Sequence, residues 1–125
     1  MSLTVMIVDD SLIMAQKLKL MFGEMGHQVV QVCKDGHEAV LAYPVVKPDL
    51  VTMDITMPGV DGVEATRQIK ATNPKARVIM VTSHGQEAMV LRAIEAGAMG
   101  YVLKPVTKER LVATMNRAMA GAARS

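Results

Sequence analysis

Five short apolar runs punctuate the chain, at residues 3–8, 28–33, 49–53, 77–81 and 100–103. They are rich in β-branched residues and mostly apolar without alternation, the pattern of parallel strands covered on both faces. Between them the period lengthens to that of a helix. Met14, Leu18, Met21, Phe22 and Met25 fall on one stripe, with Lys17, Lys19 and Glu24 off it. Gly26 is placed to end that first helix, and Gly97 the fourth. Asp35 and Asp61, each with a glutamate three residues on (Glu38 and Glu64), have the form of helix N-caps. A last helix follows Thr107, with Leu111, Met115 and Ala118 on one face. Lys47-Pro48 and Asn73-Pro74 mark loops.

A regular alternation of strand and helix predicts an α/β fold, a doubly wound five-stranded parallel sheet with helices on both faces. The whole chain, residues 1–125, reads as one domain. Residues 120–125 read as a frayed tail or the start of a linker. Ligands of such sheets bind beyond the carboxyl ends of the strands. Five polar residues stand there: Asp9 and Asp10 after the first run, Asp54 after the third, Thr82 after the fourth and Lys104 after the fifth. Three carboxylates gathered at one edge repel one another unless a cation intervenes. Hard oxygen donors suit Mg²⁺, which is often shared with phosphate oxygens, and the lack of His or Cys at the strand ends argues against zinc or copper.

Each residue alone also has a plainer use. Asp10 or Ser11 caps the first helix, Lys104 is a solvated lysine, and Thr82, Ser83 or His84 caps the fourth helix. Pro105 after Lys104 removes a backbone donor, and an X-Pro bond is the one that adopts cis with any frequency. Pro58-Gly59 supplies the turn after Asp54.

Composition narrows the class further. Half of the 125 residues are hydrophobic and 21% are charged, as expected of a soluble globular domain. A net charge of +2, with no Lys/Arg stripe, argues against nucleic acid. No apolar stretch has the length of a membrane span and no signal peptide opens the chain, so a cytoplasmic protein is expected. The single Cys33 lies in an apolar run and reads as a buried structural thiol. Twelve methionines against Phe22, Tyr43 and Tyr101 point to a core packed by Met in place of aromatics.

Several strings together, Ile7-Val8-Asp9-Asp10-Ser11, Met53-Asp54-Ile55-Thr56-Met57-Pro58-Gly59-Val60-Asp61-Gly62, Val81-Thr82-Ser83, Glu95-Ala96-Gly97-Ala98 and Lys104-Pro105, resemble the response-regulator receiver domain. The likeness is to its single-domain chemotaxis type and spans Val5 to about Ala118. It implies a flavodoxin-like (βα)5 fold with strand order 2-1-3-4-5 and a phosphorylation switch of a two-component system. Asp54 would be the phosphoacceptor. Asp10, Asp54 and the Thr56 carbonyl would hold Mg²⁺ (or Mn²⁺) directly, with Asp9 acting through water. Lys104 would offset developing charge, Thr82 would bond the phosphoryl oxygen, and Tyr101 would turn inward in response. Thr56 and His84 would tune hydrolysis. The residues alone make Tyr101 a half-buried strand tyrosine.

The implied partners are a sensor histidine kinase or histidine phosphotransfer protein, and a downstream protein at the face of the fourth helix, fifth strand and fifth helix. Nucleic acid and membrane are not expected as direct partners, and the chain is not expected to turn over a separate substrate. The alternative is the receiver portion of a larger regulator with a C-terminal output domain. A Mg²⁺-dependent aspartyl-phosphate phosphohydrolase fits less well, since such enzymes resemble an Asp-x-Asp pattern with a cap segment, and Asp9-Asp10 are adjacent. A flavin or nucleotide carrier is disfavoured because the Asp9-Asp10-Ser11-Leu12 loop lacks phosphate-cradling glycines.

Overall fold

Strand and helix alternate strictly in the computed structural model, which describes residues 2–83 and 85–124, with side chains described through residue 120. The order is β1 (Thr4–Val8), α1 (Leu12–Glu24), β2 (Gln28–Cys33), α2 (Gly36–Val46), β3 (Leu50–Met53), α3 (Gly62–Thr72), β4 (Val78–Thr82), α4 (Glu87–Glu95), β5 (Gly100–Leu103) and α5 (Lys108–Arg124). The five strands form one parallel sheet in the order β2-β1-β3-β4-β5, as expected for a flavodoxin-like fold. The tail expected at residues 120–125 lies, for the side chains of 121–125, outside the described residues.

Alternate residues of the three central strands feed two apolar layers. Val5, Ile7, Leu50, Ile79 and Val81 face α1 and α5, where Ala15, Leu18, Phe22, Leu111, Met115 and Ala118 complete the cluster. Met6, Val8, Val51, Met53, Val78 and Met80 face α2, α3 and α4, packing against Ala39, Tyr43, Val63, Ala65, Ile69, Ala93 and Ala96. Met6, Met53 and Met80 are fully buried, so methionine does fill the core. Burial covers both faces of β3 and β4 completely. The edge strands β2 and β5 differ, with patterns that leave residues such as Val30 and Leu103 exposed. Uniform coverage of all five runs was therefore too simple, because an edge strand lacks a neighbour on one side.

Local signals in the chain act as expected at the helix ends. The Asp35 and Asp61 side chains accept the backbone N–H groups of Glu38 (2.8 Å) and Glu64 (2.9 Å). Gly26 and Gly97 take positive φ and close Schellman turns, with His27 N–H donating to the Phe22 carbonyl and Ala98 N–H to that of Ala93. Cys33 is buried, and burial first, then the charges of Glu38 and Asp35, pushes its thiol up to about 12. The thiol is thus protonated and structural.

Candidate functional site

Three backbone hydrogen bonds hold the strand ends side by side. Asp9 N–H donates to the Cys33 carbonyl (3.0 Å), Asp54 N–H to that of Val8 (2.9 Å), and Lys104 N–H to that of Thr82 (2.9 Å). The sheet ladder therefore runs one residue past the apolar runs and delivers each functional side chain in register. The loop after β3 folds back tightly, with Gly62 N–H bonded to the Ile55 carbonyl (2.9 Å). A Cβ at Gly62 would lie 1.9 Å from the Asp54 carbonyl oxygen, so only glycine allows α3 to start there.

The predicted acids converge. Asp9, Asp10 and Asp54 each offer a carboxylate oxygen within 4.8 Å of the others. Asp9 is only 2% exposed and Asp54 7%, whereas Asp10 is open to solvent. Lys104 Nζ donates to Asp9 Oδ2 at 3.0 Å and stands 3.7 Å from Asp54 Oδ2. Asp9 Oδ1 accepts the Ser11 N–H (2.9 Å), and Asp54 Oδ1 accepts the Ile55 N–H (2.9 Å). Neither of these backbone donors was picked out from the sequence, because main-chain groups carry no residue signature. The Lys104–Pro105 peptide is cis.

Electrostatics at Asp54 oppose one another. Burial raises its carboxyl above the ordinary carboxylate range, and the Asp9 charge adds to this. Lys104, a hydrogen bond with the Thr82 side chain and the Ile55 N–H pull the other way without cancelling the rise. Tyr101 is half-buried and packs against the layer under α2, α3 and α4. Its phenol is raised first by burial and then by the Asp54 charge, so the two residues are electrostatically coupled.

The plainer uses are also decided. Ser11 caps α1, its Oγ accepting the Met14 N–H (3.2 Å), which leaves Asp10 out of the cap. Gln86 occupies the N-cap of α4, so neither Thr82 nor Ser83 caps that helix. Thr82 is fully buried at the end of β4, and Thr56 is exposed in the loop two residues past Asp54. His84 lies outside the described residues. Such an arrangement of hard oxygen donors can hold a divalent cation beside the buried Asp54 carboxylate.

Comparison with known proteins agrees with this geometry. The family described as response regulator receiver domain matches residues 5–116. The chemotaxis protein CheY of Thermotoga maritima is 42% identical over 113 residues, covering 90% of this chain and 94% of that protein. Among solved structures, a LuxR-family two-component response regulator from Aurantimonas sp. superposes with a TM-score of 0.91 at 37% identity, covering 97% of this chain and 87% of that one. The CheX–CheY–BeF3–Mg²⁺ complex from Borrelia burgdorferi matches with a TM-score of 0.89 at 32% identity, covering 93% and 88%. The strand-end acids, the lysine that joins two of them and the sheet order that assembles them thus belong to a CheY-like member of the response regulator receiver family, a signalling switch of two-component systems and not a turnover enzyme.

Proposed function

We propose that this chain takes a phosphoryl group from a phosphohistidine, on a sensor histidine kinase or histidine phosphotransfer protein, onto Asp54, and thereby changes its partner-binding surface. One observation carries the reading: Asp9, Asp10 and Asp54 converge within 4.8 Å while Lys104 contacts two of them. The all-oxygen donor set, with Asp10 open to solvent, fits Mg²⁺ or Mn²⁺. Asp10, Asp54 and the Thr56 carbonyl would hold the ion directly and Asp9 through water. When bound, it supplies positive charge against the phosphoryl oxygens.

The chain's own residues do the rest. An Asp54 carboxylate oxygen attacks phosphorus in line, the new O–P bond forming as the P–N bond to the imidazole breaks. The electron pair stays on the departing nitrogen, which takes up a proton. Lys104, held at Asp9 at rest, meets the charge that builds on the transferring group, so the contribution is positioning and electrostatics. The Thr82 hydroxyl exchanges its bond with the Asp54 side chain for one to a phosphoryl oxygen. Tyr101, already sensing the Asp54 charge, then moves inward and remodels the face of α4, β5 and α5, where Leu91, Ile94 and Leu103 are exposed. Thr56 and His84 tune loss of the phosphoryl group to water. With such a partner the protein works in the cytoplasm, and among the described residues no helix is long and apolar enough to cross a membrane.

The test is incubation with Mg²⁺ and acetyl phosphate, read by intact mass. One acid-stable, base-labile phosphoryl adduct is expected, absent without metal and absent in Asp54→Asn. An adduct that persists in Asp54→Asn would overturn the assignment of the acceptor.

A further inference from the structure

The edge of the sheet opposite Asp54 carries a second cavity that the phosphotransfer chemistry does not use. A groove of about 780 Å³ opens there, between the N-terminal ends of β1, β3 and β4 and the later turns of α5. Leu3, Met115 and Met119 supply its apolar wall. Arg77 lines it from the start of β4, and the Arg77 Nε is buried without a hydrogen-bond partner among the described residues. Among the described residues no hydrogen bond or ion pair engages the other nitrogens of this guanidinium either, and these are the donors that the groove wall can present to an acceptor.

Asp49 also lines the groove but does not answer Arg77. Its Oδ2 already accepts the Thr4 N–H (2.8 Å) and the Thr4 hydroxyl (3.2 Å), and among the described residues it forms no ion pair with Arg77. On the other side, His27 Nδ1 accepts the Leu3 N–H at 3.1 Å. That bond leaves the proton of the neutral ring on Nε2, which makes Nε2 a donor. Asn116, from α5, adds an amide. The polar lining is therefore rich in donors, its one acid has Oδ2 held twice by Thr4, and the apolar part consists of adaptable side chains.

We propose that this basal groove binds a small amphiphilic organic anion, its carboxylate or phosphate head on Arg77 and its apolar body along Met115 and Met119. A guanidinium presents a planar fork of donors that matches either head group, and the volume suits a ligand of ordinary metabolite size. Asp9, Asp10, Asp54 and Lys104 stand at the other edge of the sheet, so this site is separate from the phosphoacceptor.

Amide and methyl NMR spectra of the full chain, titrated with octanoate, octyl phosphate and octylamine, test it. Saturable shifts at Leu3, His27, Asn116 and Met119 are expected with at least one of the two anions, and the tighter head group separates carboxylate from phosphate. Octylamine, with the same apolar body and opposite charge, should leave these signals in place. Arg77→Met should weaken anion binding at least tenfold. Should that variant fail to fold, Met119→Glu carries the test, since it puts a like charge in the apolar wall and should weaken binding equally. No saturable shift with either anion, an equal response to octylamine, or unchanged affinity in the folded variants overturns the proposal.

Discussion

Replacing Lys104 by methionine removes one charge and keeps most of the stem, and its cost follows from the geometry of the acids. Lys104 Nζ lies 3.0 Å from Asp9 Oδ2 and 3.7 Å from Asp54 Oδ2, with the lysine side chain only 19% exposed. At an effective dielectric of about 20, those contacts are worth roughly 5.5 and 4.5 kcal/mol of attraction, while the two buried carboxylates at 4.8 Å or less repel by roughly 3.5 kcal/mol or more. Desolvation offsets much of the attraction, so the net worth of the lysine is smaller than either figure. Its removal leaves two buried charges facing each other, and breaking such a pair typically costs about 3–5 kcal/mol. Urea unfolding in chelator at neutral pH should therefore show Lys104→Met destabilised by about that amount. In an Asp9→Asn background the same substitution should cost markedly less, because one of the stranded charges is gone. The loss should also shrink on acidification, as the carboxylates take up protons. A cost below about 1 kcal/mol, with coupling to Asp9→Asn inside the roughly 0.5 kcal/mol expected of independent sites, would refute the electrostatic account.

Other outcomes follow from the same structure. Burial raises the Asp54 carboxyl, so the folded chain holds its proton to higher pH than the unfolded chain, and this contribution to stability is lost as pH rises through the folded value. Without metal, Asp54→Asn should melt above the parent at neutral pH and lose that advantage in acid; an advantage that grows in acid contradicts the sign. Thr52 is 1% exposed and its hydroxyl finds no partner among the described residues, so Thr52→Val should stabilise by about 1–3 kcal/mol in urea unfolding at unchanged slope. Destabilisation by Thr52→Val would mean that the hydroxyl is satisfied. In α4 only Ala93 is buried, against five residues of α3, so amide exchange should open α4 at lower free energy than α3, and equal protection would count against it.

Most of the site was legible because the apolar runs stop where the chemistry starts. In a parallel sheet the stop of each run sets the position of the next side chain, and that information is local. The bounds slipped where neighbours decide them. Thr82 belongs to β4 because it pairs with Leu103, a residue about twenty positions away, and β4 starts at Val78, one residue after the run that opens at Arg77. The third apolar run opens at Asp49 in the sequence, yet the Asp49 side chain clasps Thr4 and β3 begins at Leu50. The apolar runs also looked alike, although β2 and β5 are edges, and edge position depends on the order of the whole sheet. In the sequence Gly62 stands out only as the last residue of the string that opens at Met53. Its reason, the approach of a backbone oxygen to 1.9 Å from a would-be Cβ, exists only once α3 has folded against Asp54. Arg77 and Thr52 carry atoms unpaired among the described residues for the same kind of reason, since satisfaction is a property of packing and not of spacing.

The proposed chemistry and the proposed output surface sit on parts of the fold with different anchorage. Asp9 and Asp54 extend β1 and β3, which occupy the middle of the sheet and are covered on both faces. A rigid frame of this kind keeps two like charges together at a cost that a cation or a proton relieves. Lys104 and Tyr101 come from the other kind of element. β5 is an edge strand with only Val102 buried, and α4 beside it buries only Ala93. The strand that delivers the lysine to the acids therefore also carries the tyrosine that feels the Asp54 charge. A change in that charge reaches loosely held elements within four residues of chain, and few buried contacts oppose their rearrangement. On the proposed reading the strand-end residues specify how such a switch is thrown without specifying its target, because recognition would fall to exposed side chains such as Leu91 and Ile94, whose identity the acids do not constrain.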